Sequence, residues 1–204
     1  MDEKARLRTL LLERRDKAEG REALSVAIGR HVAGLPEYAR ARTVSWFVGV
    51  KSEVTTLPMI GDAVAAGRRV ALPCVTPAGL RLVRIESLDE LVPAPFGLLE
   101  PAPQIGQEPG RQVRPADVDF FAVPGVAFDT TGGRLGHGKA YYDGLLAQAR
   151  PDACRAGLCF ELQLVGQVPM EAHDIRMDYV VTEAAVYGAA RAASASTDAD
   201  SSSP

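Results

Sequence analysis

The sequence predicts an α/β fold, a three-layer sandwich around a mainly parallel sheet, and three observations carry that expectation. Strand-length apolar runs at residues 44–48, 70–73, 80–85 and 118–123 alternate with helical patterns at 57–66 and 139–149. Further apolar runs at 156–160 and 179–181 continue the alternation toward the C-terminus. Ahead of the first strand stand two segments with helical periodicity. At 204 residues, 47% apolar and 24% charged, the chain has the size and balance of one globular domain with a sizeable core.

Taken in order, residues 3–15 place Leu7, Leu10 and Leu11 at helical spacing, and residues 20–33 do the same with Leu24, Ala27 and Ile28. Gly34-Leu35-Pro36 closes the second helix. The strand-and-helix alternation then runs to residue 85. Residues 93–115 are rich in Pro, Gly and Gln and read as a long surface loop, a length often tied to function. From Ala189 the chain turns small and polar, so a single domain over 1–188 and a disordered tail over 189–204 are expected.

Charge and cysteine content exclude several classes of function. A net charge of −3 argues against general nucleic-acid binding. No apolar run reaches transmembrane length, and Met1-Asp-Glu-Lys-Ala-Arg lacks the apolar core of a signal peptide, so a cytoplasmic protein without membrane contact is expected. Cys74, Cys154 and Cys159 lack zinc-type spacing and read as reduced, buried thiols.

The densest signal is VPGVAFDTTGGRLGHGKAYYDGLL, residues 123–146. Gly132, Gly133, Gly136 and Gly138 are interleaved with Arg134, His137 and Lys139, ahead of a helix expected to open near Gly138. Glycines let backbone N–H groups turn into an anion nest, and a helix N-terminus adds donors and partial positive charge. Gly133-x-x-x-x-Gly138-Lys139 has the Walker A spacing, but Ala140 follows where Ser or Thr should hold a metal, so a P-loop phosphotransferase is the weaker reading. Asp143, one helical turn beyond Lys139, offers a carboxylate in place of that hydroxyl.

The segment PGVAFDTTGGRLGHGKAYYD, residues 124–143, closely resembles the signature of the 5-formyltetrahydrofolate cyclo-ligases, approximately PGxxFDxxGxRLGxGxGYYD. The resemblance extends through KARLR at 4–8, KSEVTT at 51–56, RRVALP at 68–73, FGLLEP at 96–101 and HDIRMDYVVTE at 173–183. One position departs from it: Ala140 stands where the family has its last glycine, and a methyl group there is expected to narrow the nest.

The resemblance implies ATP- and Mg2+-dependent cyclisation of 5-formyltetrahydrofolate to 5,10-methenyltetrahydrofolate, by a protein expected to act as a monomer on a folate with one or several glutamates. It implies that Lys4, Arg8, Arg134, Leu135, Gly136, His137, Gly138, Lys139, Ala140, Tyr141 and Tyr142 contact ATP, with Lys139 and Arg134 catalytic. Val48, Glu53 and Tyr142 are the implied folate contacts, and Asp143 and Asp174 the implied Mg2+ ligands. Local chemistry supplies ordinary alternatives. Lys4 and Arg8 suit a solvated helix face, Asp143 suits the helix dipole, Glu53 suits a helix cap and Asp174 suits a turn. Which of Tyr141 and Tyr142 turns toward the site is left open. A relative that binds nucleotide and folate without turnover is the alternative reading, supported only by Ala140.

Overall fold

The computed structural model describes residues 2–188, so the tail expected from Ala189 lies outside the described residues. Helix α1 (Glu3–Asp16) is capped by the Asp2 carboxylate, which accepts from the Lys4 amide at 3.3 Å. Glu3 in its first turn and Arg14 and Arg15 in its last complement the dipole. Helix α2 (Arg21–Ala33) follows, then a short helix α3 (Pro36–Arg40) that the periodicity did not announce. Pro36 both bars continuation of α2 and opens α3, where its missing N–H costs nothing.

The chain then builds β1 (Thr43–Ser45), α4 (Leu57–Ala65), β2 (Arg69–Thr76) and β3 (Gly79–Ile85). The segment expected to be one long loop instead carries short pieces: β4 (Leu91–Pro93) pairs with β5 (Leu99–Pro101), and β6 (Gln112–Val113) joins the edge of the main sheet. Two- and three-residue strands are too short to show a period, which is why composition alone misread them. Next come β7 (Phe120–Val123), a small hairpin of β8 (Ala127–Phe128) and β9 (Arg134–Leu135), α5 (Tyr141–Leu146), β10 (Cys154–Leu158), β11 (Tyr179–Val181) and β12 (Val186–Gly188).

The sheet runs in the order β12-β11-β10-β7-β1-β2-β3-β6. Neighbours from β2 through β11 are parallel, and β3, β6 and β12 add antiparallel edges. The sandwich expectation holds, because strand residues alternate between two cores. On β7, Phe120 and Ala122 join α2, α3 and α4 on one face. Phe121 and Val123 join Leu145 and Leu146 of α5 on the other. The connection through α4 therefore covers one face and the connection through α5 the other. Among the five parallel strands the order reverses between β1 and β7, a topological switch point where loops leaving the carboxyl ends of the strands diverge and leave a crevice.

Two element boundaries moved for local reasons. The helix expected over 139–149 spans only Tyr141–Leu146, and its late start follows from φ of 88° at Gly138 and 51° at Ala140. Strand β1 ends at Ser45, although the Trp46 amide still donates to the Ala71 carbonyl at 3.0 Å. The expectation of buried cysteines holds for Cys154 and Cys159 but not for Cys74, which is half-buried; burial raises the Cys74 thiol to about 11 and the Cys159 thiol well above its ordinary value. Among the described residues no helix is long and apolar enough to cross a membrane.

Candidate active site

Three segments meet at the switch point: the loop after β1, the glycine-rich segment after β7, and α1 laid across both. The glycine-rich segment is a hairpin before it is a loop. Asp129 is 1% exposed at its turn and accepts from the amides of Thr131 and Gly133, each at 2.9 Å, from the Thr131 hydroxyl at 2.6 Å and from the Val168 amide at 2.8 Å. Burial opposes its charge, but these donors outweigh it and hold the carboxyl below its usual range. Gly133 is dictated by this turn, since a Cβ there would lie 2.2 Å from the Asp129 carboxylate. The hairpin also separates the glycines from β7, unlike a P-loop, in which the glycines directly follow their strand.

From the hairpin the chain reaches Gly136, His137, Gly138 and Lys139, where His137, Gly138, Lys139 and Ala140 are exposed. Leu135 packs in a small core with Leu11, Val126 and Val168. The Lys139 ammonium lies 5.8 Å from the centre of the Tyr141 ring. Tyr142 turns the other way. It packs against both main cores, sits under the Arg134 guanidinium at 5.9 Å and feels the charge of Glu53; burial, with Glu53 adding, strongly raises its hydroxyl pKa.

Arg134 is itself buried. Its guanidinium donates to the Asp143 carboxylate at 2.8 Å and to the Pro124 carbonyl at 3.4 Å. The cation and the carboxylate that sequence assigned to different ligands are thus each other's partners. Asp143 also accepts from the Ile175 amide at 3.3 Å, which ties it to the segment that carries Asp174 from the far end of the chain. Asp174 accepts from the Glu171 amide at 2.7 Å and from the Lys4 ammonium at 3.0 Å. Burial opposes ionisation of Asp174, yet these donors win and lower its pKa. A hydrogen bond to Glu171 leads the causes that raise the pKa of Lys4, with Asp174 adding to it. Among the described residues no three His, Cys, Asp or Glu side chains cluster as a metal cage.

Helix α1 supplies more than Lys4. Arg8 donates to the Gly136 carbonyl at 2.8 Å, and its guanidinium lies 3.5 Å from where a Gly138 side chain would begin. Lys4, Arg8, Leu11 and Arg15 share one stripe of the helix at intervals of four, three and four residues. In the loop after β1, Glu53 is largely buried, accepts from the Val50 amide at 3.2 Å and approaches the His137 imidazole at 3.5 Å. Val48 is half-buried against the core beneath α2 and α4, and Trp46 is wholly core.

Residues 1–183 match the sequence profile of the 5-formyltetrahydrofolate cyclo-ligase family. The chain belongs to that family. It is 34% identical to the Mycolicibacterium smegmatis 5-formyltetrahydrofolate cyclo-ligase over 187 residues, covering 88% of this chain and 93% of the relative. The Escherichia coli K12 enzyme of the same name is 32% identical over 157 residues, covering 74% and 84%. The NMR structure of Aquifex aeolicus 5,10-methenyltetrahydrofolate synthetase superposes with a TM-score of 0.81 at 33% identity, covering 98% of this chain and 99% of that one. A Mycoplasma pneumoniae 5,10-methenyltetrahydrofolate synthetase, at 21% identity and a TM-score of 0.70, shares the fold.

The chain is therefore an enzyme, a ligase of this cyclo-ligase family. Its signature segment gathers around residues that sequence reasoning passed over. Asp129 lay inside the motif, where an Asp before Thr-Thr-Gly-Gly is a turn signal. Gln163 donates to the carbonyls of Gly125 and Val126, both at 3.0 Å, from a segment with no local cue. Arg15 could have been found by extending the Lys4–Arg8 stripe by two turns.

Proposed function

We propose that this chain cyclises 5-formyltetrahydrofolate to 5,10-methenyltetrahydrofolate at the expense of ATP, releasing ADP and phosphate. One observation carries the reading. The family's signature segment lies at the switch point beside the loop bearing Glu53, and α1 brings two further cations to the same place.

An amide-like formyl oxygen is a poor leaving group at neutral pH. Transfer of the γ-phosphoryl group to that oxygen makes an iminium phosphate, N10 attacks the formyl carbon and gives its proton to solvent, and phosphate departs. Such chemistry asks the protein for positioning and charge neutralisation rather than a covalent nucleophile. Lys4, Arg8, Arg134 and Lys139 would meet the ATP phosphates, with Arg134 and Lys139 nearest the transferred group. Backbone from Leu135 to Tyr141 would line the nucleotide. Asp143 and Asp174 suit Mg2+ because both are hard oxygen donors, and the Ile175–Asp143 hydrogen bond ties Asp143 to the segment that carries Asp174. Mg2+ would supply charge neutralisation on phosphate oxygens. Glu53 would accept from the amino and ring N–H groups of the pterin, with Tyr142 and Val48 as walls. Tyr142, half-buried against both main cores, suits the folate side, while Tyr141 beside Lys139 suits the nucleotide.

The test is to mix the protein with 5-formyltetrahydrofolate, Mg2+ and ATP and follow the methenyl chromophore, with ATP omitted as control. ATP-dependent product is expected. Lys139→Ala should impair the use of ATP, lowering kcat as well as raising the KM for ATP, and Glu53→Gln should chiefly raise the KM for the folate. Absence of product while both ligands bind would overturn the cyclo-ligase reading in favour of a binding relative.

A further inference from the structure

Arg15 is anomalous for its position. An arginine in the last turn of a surface helix ordinarily complements the dipole from solvent, yet this residue is 4% exposed. Burial pushes its pKa down, and the carboxylates of Glu53 and Asp16 oppose that shift. Its Nε donates to the Ser52 hydroxyl at 3.1 Å, Nη1 reaches the Gly125 carbonyl at 3.4 Å, and the same nitrogen lies 3.9 Å from the Glu53 carboxylate. Ser52 in turn donates to Asp16. Ser52 and Glu53 belong to the loop after β1, and Gly125 to the segment after β7. One guanidinium therefore ties together the two loops that flank the switch point.

Stability alone is a weak reason to keep such a residue, because apolar replacements of buried ion pairs are often neutral or better. The loop it holds is also conformationally demanding. Lys51 has φ of 54°, and the amides of Gly49, Val50 and Glu53 bond to Thr56, to the Glu53 carboxylate and to the Val50 carbonyl. Strained backbone persists only where its surroundings over-determine it.

We infer that Arg15 is a positioning residue that clamps the loop of residues 49–53 against Gly125 and so sets where the Glu53 carboxylate stands. The consequence for the substrate rests on the proposed reading of Glu53 as the folate contact. On that reading one helix face serves both halves of the reaction: Lys4 and Arg8 toward nucleotide, and Arg15, through Glu53, toward folate.

The experiment combines hydrogen exchange with kinetics on the full chain. Arg15→Met should speed exchange of amides in residues 49–53, leave the first two turns of α1 unchanged and raise the KM for 5-formyltetrahydrofolate on the order of tenfold. The KM for ATP should stay within about twofold. Arg15→Lys should recover part of the loss, and Ser52→Ala, which keeps the guanidinium but removes one of its acceptors, should move exchange in the same direction by less. In a Glu53→Gln background, Arg15→Met should raise the folate KM no further. Unchanged exchange over 49–53 would overturn the inference, as would an equal rise in both KM values or additive effects of the two substitutions. Faster exchange over 49–53 with a folate KM indifferent to Glu53→Gln would leave the clamp standing and overturn the reading of Glu53.

Discussion

Ala140 has φ of 51° and ψ of 17°, in the left-handed region, at the residue from which α5 starts. A side chain there costs roughly 1–2 kcal/mol relative to ordinary backbone. Replacing Ala140 with Gly removes that cost but gives the unfolded chain more freedom, worth about 0.4–1 kcal/mol in the other direction. The methyl group is exposed, so little packing is lost. The balance favours Ala140→Gly by about 0.5–1 kcal/mol, or roughly 1–4 °C in Tm for a chain of this size. Ala140→Val should move the other way, since a β-branched side chain tolerates positive φ badly. Thermal and urea unfolding of the three proteins would measure the series. Because Ala140 already takes the conformation a glycine would, kcat should change by less than about threefold in Ala140→Gly. A Tm that falls on going to Gly would refute the strain argument, and a sharp gain in kcat would mean that the methyl group obstructs the nest.

Two further predictions concern the supports of the site. Asp129→Asn should destabilise the protein by about 2–3 kcal/mol at pH 7, because one of the two oxygens that accept four charge-assisted hydrogen bonds becomes an amide NH2 facing a donor. The folded pKa of Asp129 is depressed, so its stabilisation is fully present above the unfolded value near 3.8 and is lost as pH falls through the lower folded value. The gap in urea midpoint between wild type and Asp129→Asn should accordingly narrow below about pH 4. Arg134→Met should cost about 3 kcal/mol by leaving Asp143 without its buried partner, and adding Asp143→Asn should restore part of it. Additive losses in that double-mutant cycle would show that the pair is not coupled.

Much of the architecture was legible from local pattern. The period of apolar residues, the alternation of short strands with helices, and Pro36 after Gly34 carry their meaning within a few residues, because backbone sterics and side-chain direction are local. The signature around Asp129 to Asp143 was legible for the same reason: its glycines and cations are neighbours in the chain. Even the stripe of Lys4, Arg8 and Arg15 is written in the helix period. What those side chains touch is not, since each reaches a segment more than thirty residues away. Only the packed sheet, with its order reversing between β1 and β7, decided that Arg15 meets Ser52 and Gly125, that Lys4 meets Asp174, and that Tyr142 rather than Tyr141 turns inward. Arg134 makes the difference plainest. Sequence showed a cation among glycines, fit for phosphate, while burial against Asp143 and the ring of Tyr142 gave that cation a protein partner first. A charge left unpaired in a buried place is costly, so the tertiary packing, and not the motif, determines which opposite charge it keeps.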